Sequence, residues 1–278
     1  MSERPPVFEH LGPNIEAPPI GAFCDLTERV WSTYLDLAGG YRHEDPKSRE
    51  FLIVRMLYIA EITSSAIRLN ASWSLTHAAM SLLRDRYEQV VRFSWLVRNP
   101  DQTIFQQYER SMFAKINSII RNMAPETRAS YQKTTGLPLP AWATDTLTKE
   151  QKAQFGAWGS LDLRSMAQKR DAFPPLADTV LAKEGLAESY EAICSQFSSV
   201  THYDRFGIDL IGLQPRQDAS FVLGTEPYWP GMLILKNALF DIIQCFEAAQ
   251  ICHKSDAALT FERFLAEWLA ISKALLPR

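Results

Sequence analysis

An all-α fold, a single multi-helix bundle, is what this chain of 278 residues predicts. Three observations carry that expectation. Apolar residues recur at three- and four-residue spacing through several long segments, no stretch sustains period-two alternation, and 46% hydrophobic residues can bury a sizeable core. The clearest segment runs from Trp73 to Asn99. There Leu75, Ala79, Leu82, Leu83, Tyr87, Val90, Val91, Ser94 and Val97 make one stripe, with Asp85, Gln89 and Arg92 opposite.

In chain order, residues 1–21 read as a Pro-rich arm, and 22–278 as one helical domain. Ala22 to Ala38 forms a first helix on Phe23, Leu26, Val30, Tyr34 and Leu37, ended by Gly39-Gly40. Asp45 and Pro46 open the next helix, whose stretch Phe51–Asn70 is apolar nearly all round and therefore calls for neighbours on several sides. Arg55, Glu61 and Arg68 interrupt it, so each must be paired, snorkelled or functional. The short link through Ala71 and Ser72 suggests a hairpin with the Trp73–Asn99 helix. Asn99-Pro100-Asp101 then starts a helix to about Met123, faced by Ile104, Phe105, Tyr108, Met112, Ile116, Ile119 and Ile120.

Residues 124–150 contain GLPLPAWATDT and read as a surface excursion. Short helical pieces fill Lys149 to Arg170, and Gly185 precedes a helix to about Tyr203 with Leu186, Tyr190, Ile193, Phe197 and Val200 inward. Ala219 to Leu223 suits a short extended segment. Helices over Pro230–Lys254 and Ser255–Leu276 close the chain. They carry Met232, Leu233, Leu235, Leu239, Ile242, Phe246, Phe264, Leu265, Trp268 and Leu269, more apolar surface than one neighbour covers. The surplus is either buried by the central helices and the N-terminal arm or shared in a homodimer.

Composition removes several function classes. Lys and Arg total 29 against 32 Asp and Glu, and the net charge of −3 offers no general attraction for nucleic acid or an anionic membrane. The arm lacks the apolar core of a signal peptide, and PYWPGMLILKNALFDIIQCF, the richest apolar run, is broken by Lys236 and Asp241, so no membrane span is expected. Cys24, Cys194, Cys245 and Cys252 lack metal-ligand spacing and read as reduced thiols, which suits the cytoplasm. A di-iron bundle needs Glu-x-x-His pairs, and none of His10, His43, His77, His202 and His253 has a Glu three residues before it. No metal or cofactor is called for, since phosphate loops, dinucleotide fingerprints and Gly-x-Ser-x-Gly are missing too.

One constellation remains. Arg84 and Glu88 lie one turn apart on a helix flank, and Ser198, His202 and Arg205 lie on or just after a later helix. Facing one cleft, they would bind a polar or phosphate-containing ligand, or move a proton with His202 and Glu88 as the catalytic pair. Ser198 and His202 alone would make a nucleophile and base without an evident oxyanion hole. The same residues fit a buried polar network in which Glu88 pairs with Arg84 and fixes helix register.

The runs LLRDRYEQVVRFSWLVRNP, WGSLDLRSMAQKRD and SYEAICSQFSSVTHYD resemble a bacterial all-helical family known as a domain of unknown function. That family pairs an Arg-x-x-x-Glu helix with a Tyr-rich helix ending in Ser-x-x-x-His, matched here by Arg84, Glu88, Tyr190, Ser198 and His202. More distantly the chain is similar to HEPN helical domains, some of which are ribonucleases of toxin and phage-defence systems. Their motif separates Arg from His by four to six intervening residues, whereas the positions at those separations before His202 are Ser195, Gln196 and Phe197. The first resemblance implies an all-helical fold and no established activity. The preferred reading is a bacterial ligand- or partner-binding protein, which the distant likeness sets in a phage-defence or toxin-antitoxin-like context. The alternative is a ribonuclease acting on RNA, or another hydrolase, with His202 as general acid and base.

Overall fold

The computed structural model describes residues 18–38, 49–73, 75–101, 103–135, 148–150, 161–195, 197, 213–215, 221–223, 228–252 and 257–275. In chain order the elements are α1 (Pro18–Ala38), α2 (Arg49–Ser72), α3 (Thr76–Arg98), α4 (Thr103–Asn122), α5 (Pro125–Thr135), α6 (Leu163–Asp171) and α7 (Val180–Lys183). A π-helix (Glu191–Ser195), strands β1 (Leu213–Pro215) and β2 (Phe221–Leu223), α8 (Tyr228–Cys252) and α9 (Ala258–Leu275) follow. The strands form one antiparallel ladder, Leu213 opposite Leu223 and Pro215 opposite Phe221. Apart from that ladder the described fold is all-α, as the periodicity predicts. No described helix is long and apolar enough to cross a membrane.

By its contacts the chain separates into two compact units, residues 1–98 with 166–278, and residues 99–165. The larger is discontinuous because α8 and α9 return to pack on the first helices. In the smaller, the Asp101 carboxylate accepts the Thr103 N–H at 2.9 Å, so Asp101 is the cap of α4, while Asn99 Oδ1 accepts the Asp101 N–H at 2.9 Å. Ile104 and Ile120 are buried, but Ile119 is half exposed. The expected excursion over 124–150 includes the regular helix α5.

The larger unit is built around α8. From Leu233 to Ala249 every side chain except that of Lys236 is buried, against α1, α2, α3 and α9. An apolar helix with that many neighbours is a core helix. It also settles where the terminal apolar surplus goes: Leu233, Leu235, Leu239, Ile242, Phe246, Phe264 and Leu265 are buried within the chain. Met232 and Trp268 are half-buried and Leu269 is 44% exposed, so most but not all of the surface that suggested a homodimer is covered internally. Helix α1 helps to cover it, since it starts at Pro18, earlier than the expected Ala22, with Pro in the first turn, where a missing N–H costs no helical bond.

Helix α2 departs from expectation. It packs on α3 and α8 through Ile53, Leu57, Ala60, Ser64, Ile67 and Ala71, yet Tyr58, Ile59, Ile62 and Leu69 are exposed and among the described residues nothing packs over them. Its charges are engaged locally: Arg68 pairs with Glu28 at 3.3 Å, Glu61 accepts from the Ser65 hydroxyl at 3.1 Å, and Arg55 lies 5.8 Å from the centre of the Phe51 ring. Trp73 falls in the turn before α3.

Candidate functional site

Helix α3 presents Arg84, Glu88 and Arg92 along one flank, each half-buried and spaced by single turns. Glu88 does not pair with Arg84. Its Oε1 accepts from both Nε and Nη2 of Arg92, at 2.9 and 2.8 Å, because Arg92 lies C-terminal to the acid, the orientation that agrees with the helix dipole. Among the described residues Arg84 forms no ion pair and no hydrogen bond.

The same side of α3 meets the π-helix Glu191–Ser195. Two anchors hold this segment there. The Tyr87 hydroxyl donates to the Leu186 carbonyl at 2.9 Å, with the Tyr87 and Tyr190 ring centres 6.4 Å apart. The Asp171 carboxylate accepts the N–H groups of Leu186 and Ala187 at 2.8–3.0 Å. Gly185 fits beside that carboxylate because a Cβ would stand only 3.2 Å from Asp171 Oδ2. π-helical turns are rare and concentrate at functional positions, since they re-aim the side chains that follow. Cys194, on this turn, feels both flank charges: burial raises its thiol to about 11, Arg84 opposes, and Glu88 and Glu191 add to the rise. It is no nucleophile at neutral pH.

Arg84 and Glu88 therefore stand beside the start of the segment that leads to Ser198, His202 and Arg205. Those three lie outside the described residues.

A second polar constellation was not anticipated from the sequence. Asn237, Asp241, Gln244 and Glu247 run down one face of α8 and are all buried. Asp241 accepts from Arg86 Nη2 at 2.8 Å and from the Ser64 hydroxyl at 2.5 Å, and Asn237 Nδ2 donates to Ser64 Oγ at 2.8 Å. Less than two turns beyond Asp241, Glu247 accepts from Arg170 Nη2 at 2.6 Å and from the Ser94 hydroxyl, with Arg98 Nη1 at 3.8 Å. Arg170 Nη1 also donates to the Glu184 carbonyl at 2.5 Å. The side chains of Arg86 and Asp241 are both 0% exposed, so no substrate reaches them. Burial pushes the Asp241 carboxyl up, against the pull of Arg86 and Ser64. This column ties α2, α3, α6 and α8 into one register. A polar residue every three or four positions on an otherwise apolar helix was its sequence signal.

No family model, curated protein or solved structure matches this chain.

Proposed function

We propose that this chain is a helical binding protein that holds a polar, phosphate-bearing ligand or partner group against the flank of α3, with Arg84 as the cation that meets it. The observation that carries the reading is the division of charge on that flank. Glu88 is occupied by Arg92, and Arg84 stands half-buried beside the π-helix without a described partner. A guanidinium without a carboxylate, in a partly desolvated setting, is suited to a planar, bidentate oxyanion. The likeness to the Arg-x-x-x-Glu and Ser-x-x-x-His family supports Ser198, His202 and Arg205 as further contacts. Four free cysteines support a reducing compartment, the cytoplasm, as the place of action. The bacterial defence setting rests on the HEPN likeness alone.

Thermal unfolding of the full chain with inorganic phosphate and with nucleotides tests this. A ligand at a hundred times its Kd adds about 2.7 kcal/mol to the folded state, a rise of several degrees. Arg84→Ala should abolish the rise and leave the unliganded midpoint nearly unchanged. An equal rise in Arg84→Ala, or none with any phosphate compound, would rule the reading out. RNA cleavage lost in a folded His202→Ala variant would replace it with the hydrolase.

A further inference from the structure

Helix α2 carries two seams, not one. Ile53, Leu57, Ala60, Ser64, Ile67 and Ala71 face the core. Arg55, Ile59, Ile62, Ala66 and Leu69 repeat the same alternating spacing two residues later, about 200° around the helix and so on its outer side, and Trp73 in the turn that follows continues the spacing. Spacings of four and three in turn are those of a coiled-coil seam. On it Ile59 and Ile62 are each 57% exposed, Leu69 62% and Trp73 44%, and the flanking Tyr58 is 69% exposed.

We infer that this outer seam of α2 is where a second copy of the chain docks, helix against helix and antiparallel. The inference goes beyond the ligand reading and does not depend on it. Charge selects the occupant and the direction. Arg55, itself 5.8 Å from the Phe51 ring of its own helix, is the one charged residue of the seam, and the neighbouring Glu61 and Arg68 are engaged within the chain. A parallel pairing would set Arg55 against Arg55. In the antiparallel pairing, with the two-fold axis level with Ser64, Ile62 of one copy meets Ala66 of the other and Ile59 meets Leu69. Large then packs against small, or branched against branched. Arg55 meets the face of Trp73 beside the C-terminal, negative end of the other α2.

Such a surface is self-complementary, as a two-fold interface must be. Five large side chains offer on the order of 400 Å² from each copy, about half of a standard interface's share, so the dimer is weak and concentration-dependent. The seam spans fewer heptads than a free-standing coiled coil needs, but here the rest of the unit already holds α2 helical.

Sedimentation of the full chain from low to high micromolar concentration should show the mass moving from one chain towards two. Ile62→Lys should hold the mass at one chain with its circular dichroism and unfolding midpoint unchanged, because the side chain is exposed. Direction is read separately by mixing Ile62→Cys and Ala66→Cys chains under oxidation. Mixed disulfide dimers support the antiparallel pairing. A single-chain mass throughout, a dimer indifferent to Ile62→Lys, or Ile62→Cys crosslinking only to itself would each overturn the proposal. Because Arg84 is not on this seam, Arg84→Ala leaves the mass shift intact, and the two readings fail independently.

Discussion

Arg86 is the residue whose environment is least like its chemistry. Its guanidinium is fully enclosed and meets Asp241 through Nη2, while Nε and Nη1 find no partner among the described atoms. Removing one member of such a pair strands a charge in the interior. Asp241→Ala should therefore cost about 3–5 kcal/mol in urea unfolding. The double variant Arg86→Met with Asp241→Leu should recover most of that loss, since neither charge is left behind. A double variant as unstable as Asp241→Ala would count against the pair as the origin of the loss. Asp241 was visible in the sequence only as a break in an apolar run, although Asn237, Asp241, Gln244 and Glu247 share one face. Arg86 was hidden more deeply. It sits three residues from Leu83 and four from Val90, within the buried stripe of α3, but composition alone ranks arginine as a surface residue.

The segment after Gly185 shows what an element gains from tethers on its neighbours. Tyr87, on α3, stacks near Phe240 at 5.8 Å and near Tyr190, and its hydroxyl holds the Leu186 carbonyl. Tyr87→Phe keeps the ring packing and deletes that bond, so it should destabilise the chain by about 1 kcal/mol. Amide exchange over Leu186–Cys194 should quicken more than exchange in α8. Uniform quickening would mean that the tether serves the whole unit instead. Tyr87 and Leu186 were both legible as inward-facing residues, but the bond between them was not, because 99 positions separate them. The π-turn was equally out of reach, since helical spacing of apolar residues does not distinguish one helical winding from another over so short a span. Helix α2 was legible as apolar all round, and only its neighbours could reveal which side stays open.

At the scale of the molecule, the buried thiols give stability a pH dependence. Burial raises Cys194 to about 11 and Cys252 to about 12 from the ordinary 9.0. Below pH 9 these thiols are protonated in both states and contribute no slope. Between 9 and their folded values the unfolded chain sheds protons that the folded chain keeps, so the unfolding free energy falls as pH rises. The combined Cys194→Ser and Cys252→Ala variant should flatten that fall, measured by urea unfolding at stepped pH. An identical slope in the variant would assign it to other groups. The polar column on α8 also bears on how the chain is made. Ser64 and Arg86 wait for Asp241, which lies 177 and 155 residues downstream. During synthesis α2 and α3 leave the ribosome long before α8 exists, with an arginine that nothing yet neutralises and an apolar face that nothing yet covers. The nascent amino-terminal helices therefore cannot close a stable core by themselves. Until α8 is translated, they stay open to chaperones and proteases, and the unit assembles almost all at once when its central helix arrives.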